Sequence, residues 1–125
     1  MIQKKAFTLI EMLIVVVIIS IIAAIALPNY GRMKEESLGK EANLTLKLIQ
    51  DAEQFYHIEH GAYLTCNDAE DINRDLKLYI PTNSSNWNYT VTATTDDTFV
   101  AKAQRSGGNA TYCINQFSND TYKCN

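Results

Sequence analysis

Behind Met1-Ile2-Gln3-Lys4-Lys5-Ala6 comes Phe7-Thr8-Leu9-Ile10-Glu11, and from Met12 to Pro28 the chain carries no charge. About 20 apolar residues suffice to cross a bilayer as a helix, at roughly 1.5 Å of rise per residue. Glu11 is the acid in this stretch, four residues after Phe7 and on the next helical turn. An ionisable group inside a membrane helix is costly unless it is partnered, so Glu11 marks a functional position. A secretory signal places its small-residue cleavage site after the apolar region. Here the small residue, Ala6, lies before it, directly after Lys4 and Lys5. A cut between Ala6 and Phe7 would remove the basic leader 1–6 and retain the helix. The two lysines predict a single-pass topology with a cytoplasmic N-terminus and the rest of the chain outside.

Pro28 is followed by Asn29, Tyr30 and Gly31. Proline removes a helical hydrogen bond and crowds the preceding turn, and glycine adds freedom, so a kink or a locally melted turn is expected here. Helical periodicity then resumes. Leu38, Ala42, Thr45, Ile49, Ala52 and Tyr56 recur at steps of three and four, and Leu48 and Phe55 widen the stripe. Glu53 falls among the charges assigned to the other face. The amphipathic half, 29–60, ends at Gly61. With the apolar half, 7–28, it makes a spine of roughly 50 residues, about 75 Å long.

Residues 61–125 read as a small antiparallel sheet, so the fold class is α+β. Tyr89, Val91 and Ala93 alternate with threonines; Phe99, Ala101 and Ala103 follow beyond a turn at Asp96-Asp97. A third strand is expected near Tyr112–Phe117 after Ser106–Asn109, and a short fourth after Asp120. One helical turn is expected near Asp71–Leu78, and Trp87 is expected to pack sheet against spine. At 125 residues and 46% hydrophobic the chain amounts to one small domain plus a helix. Loss of Lys4 and Lys5 takes the formal charge from −3 to −5, and an acidic subunit without a basic patch argues against direct nucleic-acid binding.

Catalytic and metal-binding patterns are weak. His57 and His60 are spaced to share a helical face, but no complete zinc ligand set accompanies them and Cys66. Asp68, Glu70, Asp71, Asn73 and Asp75 suggest a calcium loop, yet Ile72 stands where an oxygen ligand is needed. A solvated acidic loop is the better reading. Asn-x-Ser/Thr triplets at Asn43, Asn83, Asn88, Asn109 and Asn119 arise easily in so Asn- and Thr-rich a chain. No nucleophile, base and acid can be grouped, so the chain is read as no enzyme and without cofactor or metal.

Lys4-Lys5-Ala6-Phe7-Thr8-Leu9-Ile10-Glu11, with the apolar run and Pro28 behind it, closely resembles the type III signal of type IV pilins and type II secretion pseudopilins. Ala6 stands where glycine is usual. The runs from His60 to Thr65 and from Trp87 to Gly108 also look like small bacterial pilins, on weaker motifs. The resemblance implies a pilin fold and cleavage before Phe7 by a prepilin peptidase, with methylation of the new Phe7 amine. It implies that Glu11 acts in assembly opposite the Phe7 amine of a neighbour, and that the spine unwinds near Pro28 and Gly31 in a filament. The implied partners are copies of the chain itself, an inner-membrane assembly platform and its ATPase. The subunit would sit in the inner membrane before assembly and in an extracellular pilus afterwards. One alternative is a pseudopilin forming a periplasmic piston, although the calcium-binding loop usual near the end of major pseudopilins is not seen. Another is a membrane-anchored periplasmic binding module.

Cys66, Cys113 and Cys124 lie on the predicted outer side, where disulfides persist. Three thiols allow three pairs, and the sequence leaves the connectivity open. The resemblance implies Cys113–Cys124, tying down the C-terminal loop around a turn at Ser118–Asp120; a bridge from Cys66 to either is the rival.

Overall fold

A computed structural model describes residues 2–82 and 86–124. The element order is α1 (Leu9–His60), α2 (Ala69–Asp75), β1 (Trp87–Thr95), β2 (Thr98–Arg105), β3 (Thr111–Asn115) and β4 (Tyr122–Lys123). The chain divides into two compact units, Met1–Ser37 and Leu38–Asn125.

The first unit is the N-terminal part of α1, uncharged from Met12 to Leu27 and charged from Arg32 on, with the segment ahead of it. Its Leu, Ile and Val side chains bury nothing within this chain, and the helix is long and apolar enough to cross a membrane. Pro28 lies inside the helix, and residues 24–34 are helical in the single chain. Unwinding there is therefore not a property of the lone subunit.

The second unit has its own core. On the helix the buried stripe is Leu38, Ala42, Leu46, Ile49 and Glu53, at steps of four, four, three and four, with Gln50 buried beside it. This corrects the expected stripe. Thr45, Ala52 and Tyr56 are only half-buried at its margin, and Leu48 and Phe55 face solvent, 47% and 62% exposed. The face turns instead onto Leu46 and Glu53, because a 3.6-residue period admits either line and the sheet selects one. Gly61 ends the helix at φ 77°, its N–H donating to the His57 carbonyl at 2.7 Å. That left-handed cap is open to glycine at little cost.

The sheet is antiparallel in the order β1-β2-β3-β4. Tyr89 pairs with Ala103, and Val91 with Ala101, which pairs in turn with Ile114. These residues share one face and join Trp87, Phe99 and the helix stripe in the core. Alternation in β1 and β2 follows the sequence pattern, with Asp96-Asp97 at the turn and a register shift between Ala93 and Thr95. Trp87 docks as expected: it is buried, and its Nε1–H donates to the Leu38 carbonyl at 3.0 Å.

Three local expectations shift. β3 stops at Asn115, whose Oδ1 accepts the N–H groups of Phe117 and Ser118, a side-chain-built turn that leaves Phe117 82% exposed. The short helix begins at Ala69, two residues before the expected Asp71, because Asp68 caps it by accepting the Asp71 N–H at 2.8 Å. The acidic segment is therefore not a solvated loop. Arg74 also holds Asp71 and Asp75, each at 2.8 Å.

Candidate functional site

Ala6 and Phe7 precede the helix, and Phe7 is 77% exposed. Thr8 is its cap. The Thr8 N–H donates to Glu11 Oε2 at 2.8 Å, the Thr8 hydroxyl to the same oxygen at 3.0 Å, and the Glu11 N–H to Thr8 Oγ1 at 3.3 Å. This is a capping box: a threonine and a glutamate three residues on satisfy each other's backbone donors. Thr8 was the residue that reading for a cleavage signal passed over. The signal for it was present, Thr-x-x-Glu directly before an apolar run.

The box alters what Glu11 can do. In the single subunit its carboxylate already has partners, both on Oε2. That arrangement fixes the side chain at the head of the helix, and among the described residues no hydrogen bond engages its second oxygen, Oε1. Further along, Ser20 Oγ donates to the Val16 carbonyl at 2.7 Å and Asn29 Nδ2 to the Ile25 carbonyl at 3.4 Å. Polar groups in the apolar half thus bond back onto their own helix, as a lipid or dry protein environment requires.

In the second unit Cys113 and Cys124 form a disulfide with Cα atoms 5.9 Å apart. Cys66 is buried and free, and burial pushes its thiol up to about 12. The loop closed by the disulfide is also held to the helix. Lys47 Nζ reaches Asp120 Oδ1 at 2.8 Å, and the Thr121 hydroxyl donates to Asn43 Oδ1 at 2.6 Å. Gln50 Nε2 donates to the Asn115 and Ser118 carbonyls at 2.6 and 2.9 Å. Asn43, Lys47 and Gln50 recur at helical spacing and form a polar margin beside the core stripe. Nothing in the sequence pairs them with a loop some 70 residues away.

His57 stacks on Tyr63 with ring centroids 4.4 Å apart, and His60 on Tyr56 at 4.1 Å. Among the described residues no group of three or more His, Cys, Asp or Glu is gathered to hold a metal ion. Of the Asn-x-Ser/Thr triplets, Asn83 lies outside the described residues, and Asn43 uses its side-chain oxygen on Thr121.

An apolar helical segment with a capped acid at its head, continued into a small α+β domain, defines the class of membrane-anchored prepilin-type proteins. Residues 1–27 match the family described as the prokaryotic N-terminal methylation motif. The chain is similar to the type IV major pilin protein PilA of Myxococcus xanthus, 34% identical over 101 residues, which cover 81% of this chain and 43% of that one. It is 41% identical over 67 residues to competence protein ComGC of Halalkalibacterium halodurans, covering 54% of this chain and 66% of that one. It is 29% identical over 106 residues to the type IV wide pilus major component PilA4 of Thermus thermophilus, covering 85% and 77%. No solved structure gives a significant match. The chain carries this methylation motif at its N-terminus and is similar to type IV pilin proteins. It spans less than two thirds of the length of the first two of these relatives.

Proposed function

We propose that this chain is the structural subunit of a type IV pilus-like filament, inserted as an inner-membrane precursor with its N-terminus in the cytoplasm. A prepilin peptidase cuts between Ala6 and Phe7 and the Phe7 amine is methylated. Residues 7–28 then serve first as membrane span and afterwards as filament core, 29–60 carry the amphipathic half of the spine, and 61–125 form the globular part. An assembly platform and its ATPase extract the subunits. The observation that carries this reading is the apolar helix that buries nothing in its own chain, headed by an acid with one oxygen that no hydrogen bond among the described residues engages. Pro28 and Gly31 are the place where the spine unwinds on packing; a regular helix across 24–34 in a solved fibre would exclude that.

The test is the intact mass of subunits from purified fibres. The expected species starts at Phe7 and carries one added methyl group. A subunit still bearing residues 1–6 in assembled fibres would overturn the reading. Nothing in the second unit favours the pseudopilin alternative, and the disulfide-tied C-terminal loop speaks for a pilin.

A further inference from the structure

Glu53 is a carboxylate with no solvent exposure, in the core of the second unit. Its Oε2 accepts the Leu64 N–H at 3.0 Å, while Oε1 is buried without a hydrogen-bond partner. Leu64 belongs to the strap of residues 61–66 that carries the chain from helix to sheet edge. The strap turns at Gly61, φ 77°, and is stitched to the sheet beyond. Tyr63 N–H donates to the Asp96 carbonyl at 3.2 Å, Ala93 N–H to the Thr65 hydroxyl at 3.0 Å, and Cys66 and Val91 exchange backbone bonds of 2.9 and 2.8 Å. On the helix side, Glu53 is the side chain bonded to the strap's backbone. A buried ionised carboxylate with an unpaired oxygen is strongly unfavourable, whereas the neutral acid keeps the acceptor and loses the charge.

The groups around Glu53 do not supply a counter-charge. The strap contributes the Tyr63 hydroxyl and the Cys66 thiol. Asp97, in the β1–β2 turn, acts on Tyr63, and His57, stacked on that ring, has Nε2 3.5 Å from Asp97. From α2, Asp71 and Asp75 face Cys66, and Arg74 is engaged with both. Arg74 is thus turned to other carboxylates, and the His57 ring lies against Asp97. Burial accordingly lifts the Glu53 carboxyl to about 7, against the lowering effect of the Leu64 N–H.

We propose that Glu53 is a proton-controlled latch between the end of α1 and the strap 61–66: neutral, it holds the strap closed on the core; ionised, it draws in water and lets the strap open at Gly61. Proton release to solvent accompanies opening, and uptake accompanies closure. The acid-side state of the domain is the tighter one.

Amide hydrogen exchange on the full chain in detergent micelles tests this without requiring fibres, so it stands or falls apart from the assembly reading. Rates are compared at about pH 5.5 and about pH 8 after correction for intrinsic chemistry. The Leu64, Cys66 and Val91 amides are expected to lose about tenfold protection at the higher pH, with the Ile49 amide unchanged. Glu53→Gln should show equal protection at both values. The wild-type infrared spectrum provides an independent reading: a buried carboxylic-acid carbonyl band, present at the lower pH, should vanish at the higher one. Should Glu53→Gln fail to fold, the wild-type band and exchange rates decide. Equal wild-type protection at both pH values, a variant that retains the pH dependence, or a band that does not titrate would each overturn the latch.

Discussion

Glu11 caps its own helix, and under the proposed function the same carboxylate would also meet a neighbouring subunit. The Thr8 bonds use Oε2, so Oε1 is the oxygen that a neighbour's donor would meet. Glu11→Ala is therefore expected to leave membrane insertion and cleavage intact while lowering fibre yield about tenfold or more, counted by electron microscopy, because the incoming Phe7 amine loses its charge-assisted partner. Normal fibre numbers would assign the acid to capping alone. Glu53 governs a different observable. Its folded pKa lies above the unfolded 4.5, so the folded state binds the extra proton between about 4.5 and 7. Its contribution is complete below that window and is lost as pH rises through it, at most about 3 kcal/mol. Asp75 and Asp120 run the other way: held below 3.8 by Arg74 and Lys47, they stabilise above that value and cease to do so in stronger acid. Urea unfolding of the full chain in micelles should thus find the second unit most stable near pH 4–5, with the decline toward neutrality absent from Glu53→Gln.

Among the elements, the short strand β4 depends most on a covalent tie. It is two residues long, pairs only with Tyr112 and Cys113, and both its residues are exposed. The Cys113–Cys124 bridge spans a sequence separation of 11. Closing a loop of that size stabilises by about 3 kcal/mol in the chain-entropy model, a large share for so small a core. Cys124→Ser should lower the urea midpoint accordingly, read from Trp87, the single tryptophan of the chain and a buried one. The bonds from Asn43, Lys47 and Gln50 should keep the rest of the loop on the helix, so exchange protection is expected to fall at Tyr122 before Asn115. A stability equal to wild type would show that those polar contacts alone suffice.

The whole molecule puts unlike surfaces on its two units. The first exposes an uncharged run rich in Ile, Leu and Val between Met12 and Leu27, while the second keeps its apolar residues largely inside and its charges mostly outside. Without the leader the formal charge of −5 repels copies from one another at the surface, so cohesion has to come from apolar contact. Fibres are accordingly expected to persist in molar salt, where charge pairing is screened within about 3 Å, and to dissociate in detergent. Sedimentation of fibres under the two conditions checks this; dissociation by salt with resistance to detergent would place the cohesion in surface charge instead.

What the sequence determined on its own is the part in which local order is the mechanism. A helix in an apolar setting satisfies its backbone internally, so an uncharged run behind Lys4-Lys5-Ala6 and around Glu11 needs no distant residue to be read. Alternation at Tyr89, Val91 and Ala93 and again at Phe99, Ala101 and Ala103 likewise specified two strands and their inner face, since a strand's side-chain period is two. Thr8 was legible by the same logic, as a capping pair three residues apart. Tertiary structure decided the rest. Whether the helix presents Leu46 or Leu48 to the sheet depends on a rotation that a 3.6-residue period leaves open. The burial of Glu53 depends on a strap that arrives eleven residues later. The choice between Cys66 and Cys124 as partner of Cys113 was settled when Cys66 entered the bridge to Val91, inside the core, and β4 brought Cys124 beside β3. Each of these rests on groups far apart in the chain, and only the closed fold brings them within bonding distance.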